Sequence, residues 1–212
     1  MRTKKSPSRL VAFTDAVVAI AITLLVLPLT DLVAEGAKEN LSAPELIADH
    51  KWQIYSFLLS FVVIARLWLS HHQLFEKVGT HSRWLIRWNM VWLLFIVVLP
   101  FQTEMTAVFN GDRFAVGFYI AVVLASEICL AAMEFMVYRD PELATEPGAV
   151  SRQDVIGSAV TGAILLLALL LAVFVPDVYS YSLLLLVIPN THKRFVRRRN
   201  EKRVAEKATE AA

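Results

Sequence analysis

Apolar residues fall in long, nearly unbroken runs separated by short polar stretches. A hydrocarbon core of about 30 Å takes about 20 helical residues at roughly 1.5 Å each. Six runs meet or approach that length, at residues 10–29, 52–75, 84–107, 114–138, 155–175 and 178–188. The sixth is short and needs a flanking turn, or the basic stretch behind it, to complete it. Backbone groups in lipid must be bonded within a helix or a closed barrel. Barrel strands alternate in polarity at every second residue, and these runs do not. The pattern predicts an all-α membrane protein of six transmembrane helices. Residues 1–192 form its membrane domain, and residues 193–212 form a basic tail. The first run has basic flanks like a signal peptide. Its length, the internal Asp15 and the lack of a small-residue cleavage site after Pro28 predict a retained helix instead.

Composition strengthens this reading. Apolar residues make up 57% of the 212 residues and charged ones 19%, and mean hydropathy is +0.55. Soluble domains average about 45–50% apolar and about 25% charged, and a small domain has little interior in which to hide an excess. Disorder, a disulfide scaffold and a free nucleic-acid-binding domain fit poorly, so the partner is a lipid bilayer and not nucleic acid. Cys129 is the lone cysteine, too few for an internal disulfide or a thiolate zinc site.

Net charge is only +2, but its distribution is uneven. Arg2, Lys4, Lys5 and Arg9 precede the first span. Lys77 and Arg83 follow the second, Arg139 and Arg152 the fourth, and residues 193–207 carry a further basic cluster. The alternate connections hold Asp31, Glu35, Glu39, Glu45, Asp49, Asp112 and Asp177. The excess of Lys and Arg on one side predicts a multi-pass protein of the inner (plasma) membrane with both termini cytoplasmic. Residues 31–50, with Pro44 and the apolar Leu41, Leu46 and Ile47, read as an outer surface turn.

Ionisable side chains at membrane depth face protein or water and are the first functional candidates. They are Asp15, Arg66, His71, His72, Glu104, Glu127 and Glu134. From their span ends, Asp15 and Asn89 lie roughly 9 Å deep, His71 and His72 roughly 6–8 Å, and Trp68 about 12 Å. These groups share one cytoplasmic-side layer. They can bond one another as an interhelical clasp, or serve an ion or a proton directly. At 100° per residue, Ile20, Thr23, Leu24 and Leu27 form one stripe of the first helix and Asp15 lies on the other side. The adjacent His71 and His72 point about 100° apart, so they do not converge on a metal, and no zinc-protease motif is present. Glu127 and Glu134 are seven apart on one helix face, placed either for a proton relay or for bonds to neighbouring Ser or Thr. Trp52, Trp84 and Tyr138 sit at span ends as interface anchors. No nucleophile–base set surrounds any of these groups, so the chain reads as a non-enzyme without a cofactor.

Three motifs carry a resemblance. Arg9-Leu-Val-Ala-Phe13-Thr14-Asp15, followed by Ala19-Ile20-Ala21-Ile22-Thr23-Leu24-Leu25, resembles the RxxxFSD signature that opens helix one of the transmembrane protein 175 potassium channel family. Thr14 replaces the usual Ser and keeps the hydroxyl. Trp68-Leu-Ser-His71-His72-Gln-Leu-Phe75 is similar to its WxxHHxxF, and Asn89 with Leu99-Pro100-Phe101 to its third helix. The likeness covers residues 9–107, and the later spans match in number and length only.

The resemblance implies a homotetrameric, potassium-permeable cation channel of the six-helix bacterial type, with helix one lining a central pore. It implies no selectivity-filter loop, and this chain has no GYG sequence. By distance from the signature Asp, the pore constriction falls on Ile20, Leu24 and Leu27, and the selectivity position on Thr23. The resemblance further implies a packing network of Arg9, Phe13, Thr14 and Asp15 with Trp68, His71, His72 and Asn89. Asp31 and Glu35 then either concentrate cations at the outer mouth or are ordinary loop charges. The alternative class is a small secondary transporter of cations or protons. It predicts saturable coupled flux and an inverted repeat, and no such repeat is visible.

Overall fold

The computed structural model describes residues 7–109 and 111–174. The expected sixth span at 178–188 and the tail at 193–212 lie outside the described residues, as do Arg2, Lys4, Lys5 and Asp177. The architecture is all-α: α1 (Ser8–Leu24), α2 (Leu27–Lys38), α3 (Ala43–Asp49), α4 (Lys51–Phe75), α5 (Arg83–Val108), α6 (Arg113–Arg139) and α7 (Arg152–Phe174), with a short 3₁₀ turn at Pro141–Leu143. Five stretches are long and apolar enough to cross a membrane: Ser8–Lys38, α4, α5, α6 and α7.

The first stretch departs from the expected single helix over 10–29. It breaks after Leu24 and resumes at Leu27. Pro28 supplies the reason: it has no amide N–H and its ring crowds the carbonyl four residues back. The Leu25 and Val26 amides turn instead to Ile22 and Thr23, each at 3.3 Å. The 31–50 segment is also more ordered than a surface turn. α2 runs on to Lys38, and Ser42 then opens α3. The amide of Ser42 donates to the Glu45 carboxylate at 2.8 Å and its hydroxyl at 2.5 Å, the geometry that starts a helix. These two donors hold the Glu45 carboxyl below its usual range.

Short connections fold the long helices back on one another. Ser82 caps α5 through the Leu85 amide at 3.1 Å, and Asp112 caps α6 through the Ala115 amide at 2.8 Å. α6 lies at the centre, with α5 and α7 as its main neighbours, and α1 rests against α4 and α5. Leu85, Ile96, Leu99, Ile120, Met133 and Leu165 are fully buried along the seam.

At the basic end, the connection after α4 is zipped to the one after α6. The Gly79 amide donates to the Leu143 carbonyl at 2.8 Å, and the Thr145 amide to the Lys77 carbonyl at 2.9 Å. Lys77 also pairs with Asp154 of α7 at 3.0 Å. Only glycine fits at 79, since a Cβ there would lie 2.9 Å from the Ala144 carbonyl oxygen.

Candidate functional site

The sequence candidates divide between the two sides of α1. On the inner side, Thr14 is fully buried and Asp15 half-buried. The Trp68 indole N–H of α4 donates to the Asp15 carboxylate at 2.8 Å. The Asn89 amide of α5 donates to the Thr14 hydroxyl at 2.9 Å, and its carbonyl oxygen meets His71 Nε2 at 2.7 Å. That oxygen can only accept, so His71 donates from Nε2. Three helices are thus tied in one layer, and Thr14, His71 and Asn89 are wholly shielded.

The layer has two aromatic walls, Phe75 of the quoted motif and Trp92, which no motif singled out. The His71 ring is stacked between Phe75, 4.3 Å away at 22°, and Trp92, 4.5 Å away at 18°. Trp92 follows Asn89 by three positions, hence on the same face of α5, and this spacing was the available signal. His72 leans on Trp68 at 5.5 Å and lies 3.6 Å from Glu76 at the half-exposed rim. Arg9 and Phe13 are exposed and do not belong to the hydrogen-bonded set.

The other side of α1 is exposed among the described residues. Ile20 is 59% exposed, Leu24 41% and Leu27 53%, whereas Val18, Ala21 and Leu25 between them are buried. Thr23 is exposed on the same side. Its hydroxyl donates to the Ile20 carbonyl at 2.8 Å.

Other polar groups are used inside the bundle. The Ser60 hydroxyl of α4 meets the Tyr119 hydroxyl of α6 at 3.0 Å and accepts from Thr103 of α5 at 2.7 Å. Glu134 accepts from Ser158 of α7, and Glu127 acts electrostatically on Arg66. Glu104 of α5 lies within electrostatic reach of Asp31 on α2, a pairing no local motif announced. Among the described residues, no group of three or more His, Cys, Asp or Glu gathers to hold a metal.

Comparison with known proteins follows this geometry. Residues 9–100 match the family described as "Endosomal/lysosomal potassium channel TMEM175". A potassium channel of Streptomyces collinus is 31% identical over 140 residues, which cover 64% of this chain and 66% of that one. A potassium channel of Chamaesiphon minutus is 32% identical over 57% of this chain and 60% of its own. The aligned part therefore spans about three-fifths to two-thirds of these relatives. The crystal structure of a lysosomal potassium-selective channel TMEM175 homolog from Chamaesiphon minutus superposes with a TM-score of 0.60 at 25% identity, covering 86% of this chain and 97% of that one. The matched region takes in α1, the layer that grips it and most of α5, and by it the chain belongs to the TMEM175 potassium channel family.

Proposed function

We propose that this chain forms a potassium-permeable cation channel in which four copies of α1 surround an axial route. The observation that carries the reading is the division of α1 into two sides. One side is held to α4 and α5 by the Asp15–Trp68 and Thr14–Asn89 bonds. The other, bearing Ile20, Thr23, Leu24 and Leu27, is exposed among the described residues. Family membership and the named potassium channels among the relatives supply the class of function.

Rings of Ile20, Leu24 and Leu27 would form an apolar throat. Such a throat stops ions by dewetting when narrow and admits them when it widens. The Thr23 ring adds oxygen lone pairs, which suit a monovalent cation. Asp31 and Glu35, with Glu104 beside Asp31, raise the cation concentration at the outer mouth. The basic ends of the helices then lie in the cytoplasm, in the plasma membrane of the cell. The Thr14–Asn89–His71 and Asp15–Trp68 bonds act as a mount, fixing α1 so that its bare side keeps its aim.

Purified protein in planar bilayers tests this. The expected result is a potassium current with unitary openings, and electrically silent exchange would indicate a transporter instead. Ile20→Asn is expected to wet the throat and raise or broaden the cation current. An unchanged current removes Ile20 from the route. The structure of the assembled protein should bring each Ile20 close to its symmetry copies.

A further inference from the structure

The basic end of α5 carries two cations that no acid of the described residues answers. Arg83 and Arg87 stand four positions apart on one face of the helix, and both are exposed. Among the described residues neither guanidinium has a carboxylate partner. Other cations at this end have acids close by. Lys77 pairs with Asp154 at 3.0 Å, and Arg139 at the end of α6 is followed at once by Asp140 and then Glu142.

Trp84, 61% exposed, stands beside this pair. The Arg87 guanidinium sits 4.7 Å over its ring. That contact orients the guanidinium without neutralising it, so its fork of N–H donors stays ready for an oxyanion. Deeper in the membrane the same face turns apolar and remains exposed at Met90, Leu94 and Val97, spaced at the helical interval. From Arg87 to Val97 is roughly 15 Å at 1.5 Å per residue, half of a hydrocarbon core of about 30 Å. The opposite face of α5, with Leu85, Asn89 and Ile96, is the one buried in the bundle.

We propose that Arg83, Trp84 and Arg87 bind the headgroup of an acidic phospholipid whose acyl chains lie along Met90, Leu94 and Val97. Charge and height together select this occupant. A guanidinium meets phosphate oxygens two at a time, and an indole rests at headgroup level with an N–H to donate. Basic groups at the membrane surface attract anionic lipid. A zwitterionic lipid brings its own cation toward two unanswered arginines, so it fits less well. The apolar strip below them is as deep as one leaflet, which a free phosphate has no means to use. The site lies on α5, apart from the exposed side of α1, and needs only that α5 crosses the membrane.

The test uses full-length protein in detergent, titrated with phosphatidylglycerol or with phosphatidylcholine of the same acyl chains, and counts bound lipids by native mass spectrometry. The expected result is tighter binding of phosphatidylglycerol. Arg83→Gln combined with Arg87→Gln should cut that preference roughly fivefold for each cation removed. Equal binding of the two lipids by the wild type overturns the inference, and so does a preference that survives in this double variant. Arg139→Gln combined with Arg152→Gln removes as much charge at the same end and should leave the preference in place. An equal loss there makes the attraction diffuse and overturns the site. Excess glycerol phosphate should fail to displace the lipid, and displacement would make this a site for a free phosphate instead. The same spectra report the number of subunits. Loss of assembly in the Arg83 and Arg87 double variant would assign the face to a neighbouring copy of the chain and overturn the lipid as its occupant.

Discussion

The two sides of α1 obey opposite rules. Toward α4 and α5, Thr14 and Asn89 are 0% exposed and bonded to each other, while His71 Nδ1 and the Trp92 indole N–H in the same layer are buried without a hydrogen-bond partner. Away from them, the helix shows exposed branched apolar side chains and the Thr23 hydroxyl, which bonds its own helix. In the layer, the Thr14–Asn89, His71–Asn89 and Asp15–Trp68 bonds hold helices together. Polar chemistry on the bare side stays available to something outside the subunit. The two sides of α1 differ in whether their polar groups reach other helices or only their own.

The contrast can be broken from the bonded side first. Asn89→Leu leaves the His71 Nε2–H and the Thr14 hydroxyl without their partner in a sealed layer. Each unmet buried group costs about 1–3 kcal/mol, so a large drop in the thermal melting point of the detergent-solubilised protein is expected. An unchanged melting point would mean that the layer does not hold α1. Gly79→Ala presses a methyl against the Ala144 carbonyl and should cost about 1–3 kcal/mol by overpacking, read in the same melt. It leaves α1 untouched, so the ion selectivity of surviving channels should not change.

The bare side should respond in the reverse sense. Thr23→Val removes an exposed hydroxyl bonded only to its own helix, so stability should stay within about 0.5 kcal/mol. The potassium-to-sodium permeability ratio should nevertheless fall, as measured by reversal potentials. A melting shift as large as that of Asn89→Leu would place Thr23 in a packing seam. The smallest effect belongs to Glu45. Its folded carboxyl is held below the usual range by Ser42, so its contribution is present above the unfolded carboxyl's pKa. That contribution is lost as pH falls through the folded value. Hydrogen-exchange protection of the α3 amides, relative to their intrinsic rates, should decline over that acid window while the Thr14–Asn89–His71 layer keeps its own protection.

Much of the fold was legible because lipid imposes a simple rule. Long apolar runs have to be helices, and their ends fell near Lys51, Phe75, Arg83, Arg139 and Arg152, where charged and aromatic residues stop them. The first run was misjudged at its outer end. Hydropathy continues across Pro28, while the backbone hydrogen bonds do not, and a count of apolar residues cannot register a missing amide. The layer residues were suggested by depth and by the three motifs, Thr14 by the motifs alone. The network was expected, but its individual bonds were not, since rise per residue gives height in the membrane and not which side chain stands opposite. Trp92, and the stacking role of Phe75, became visible only once His71 was found between them.

By itself the sequence determined that this chain is a helical membrane protein with its positive charge gathered at one end, because both properties are sums over local composition. It also marked one stripe of the first helix as unlike the other, because a period of 3.6 residues fixes which side chains share a face. Only the tertiary structure decided which stripe is covered and which polar groups are already spoken for. Covering and pairing depend on the approach of helices distant in sequence, and the distances that decide them, such as the 2.7 Å from His71 to Asn89, exist only after the chain has packed.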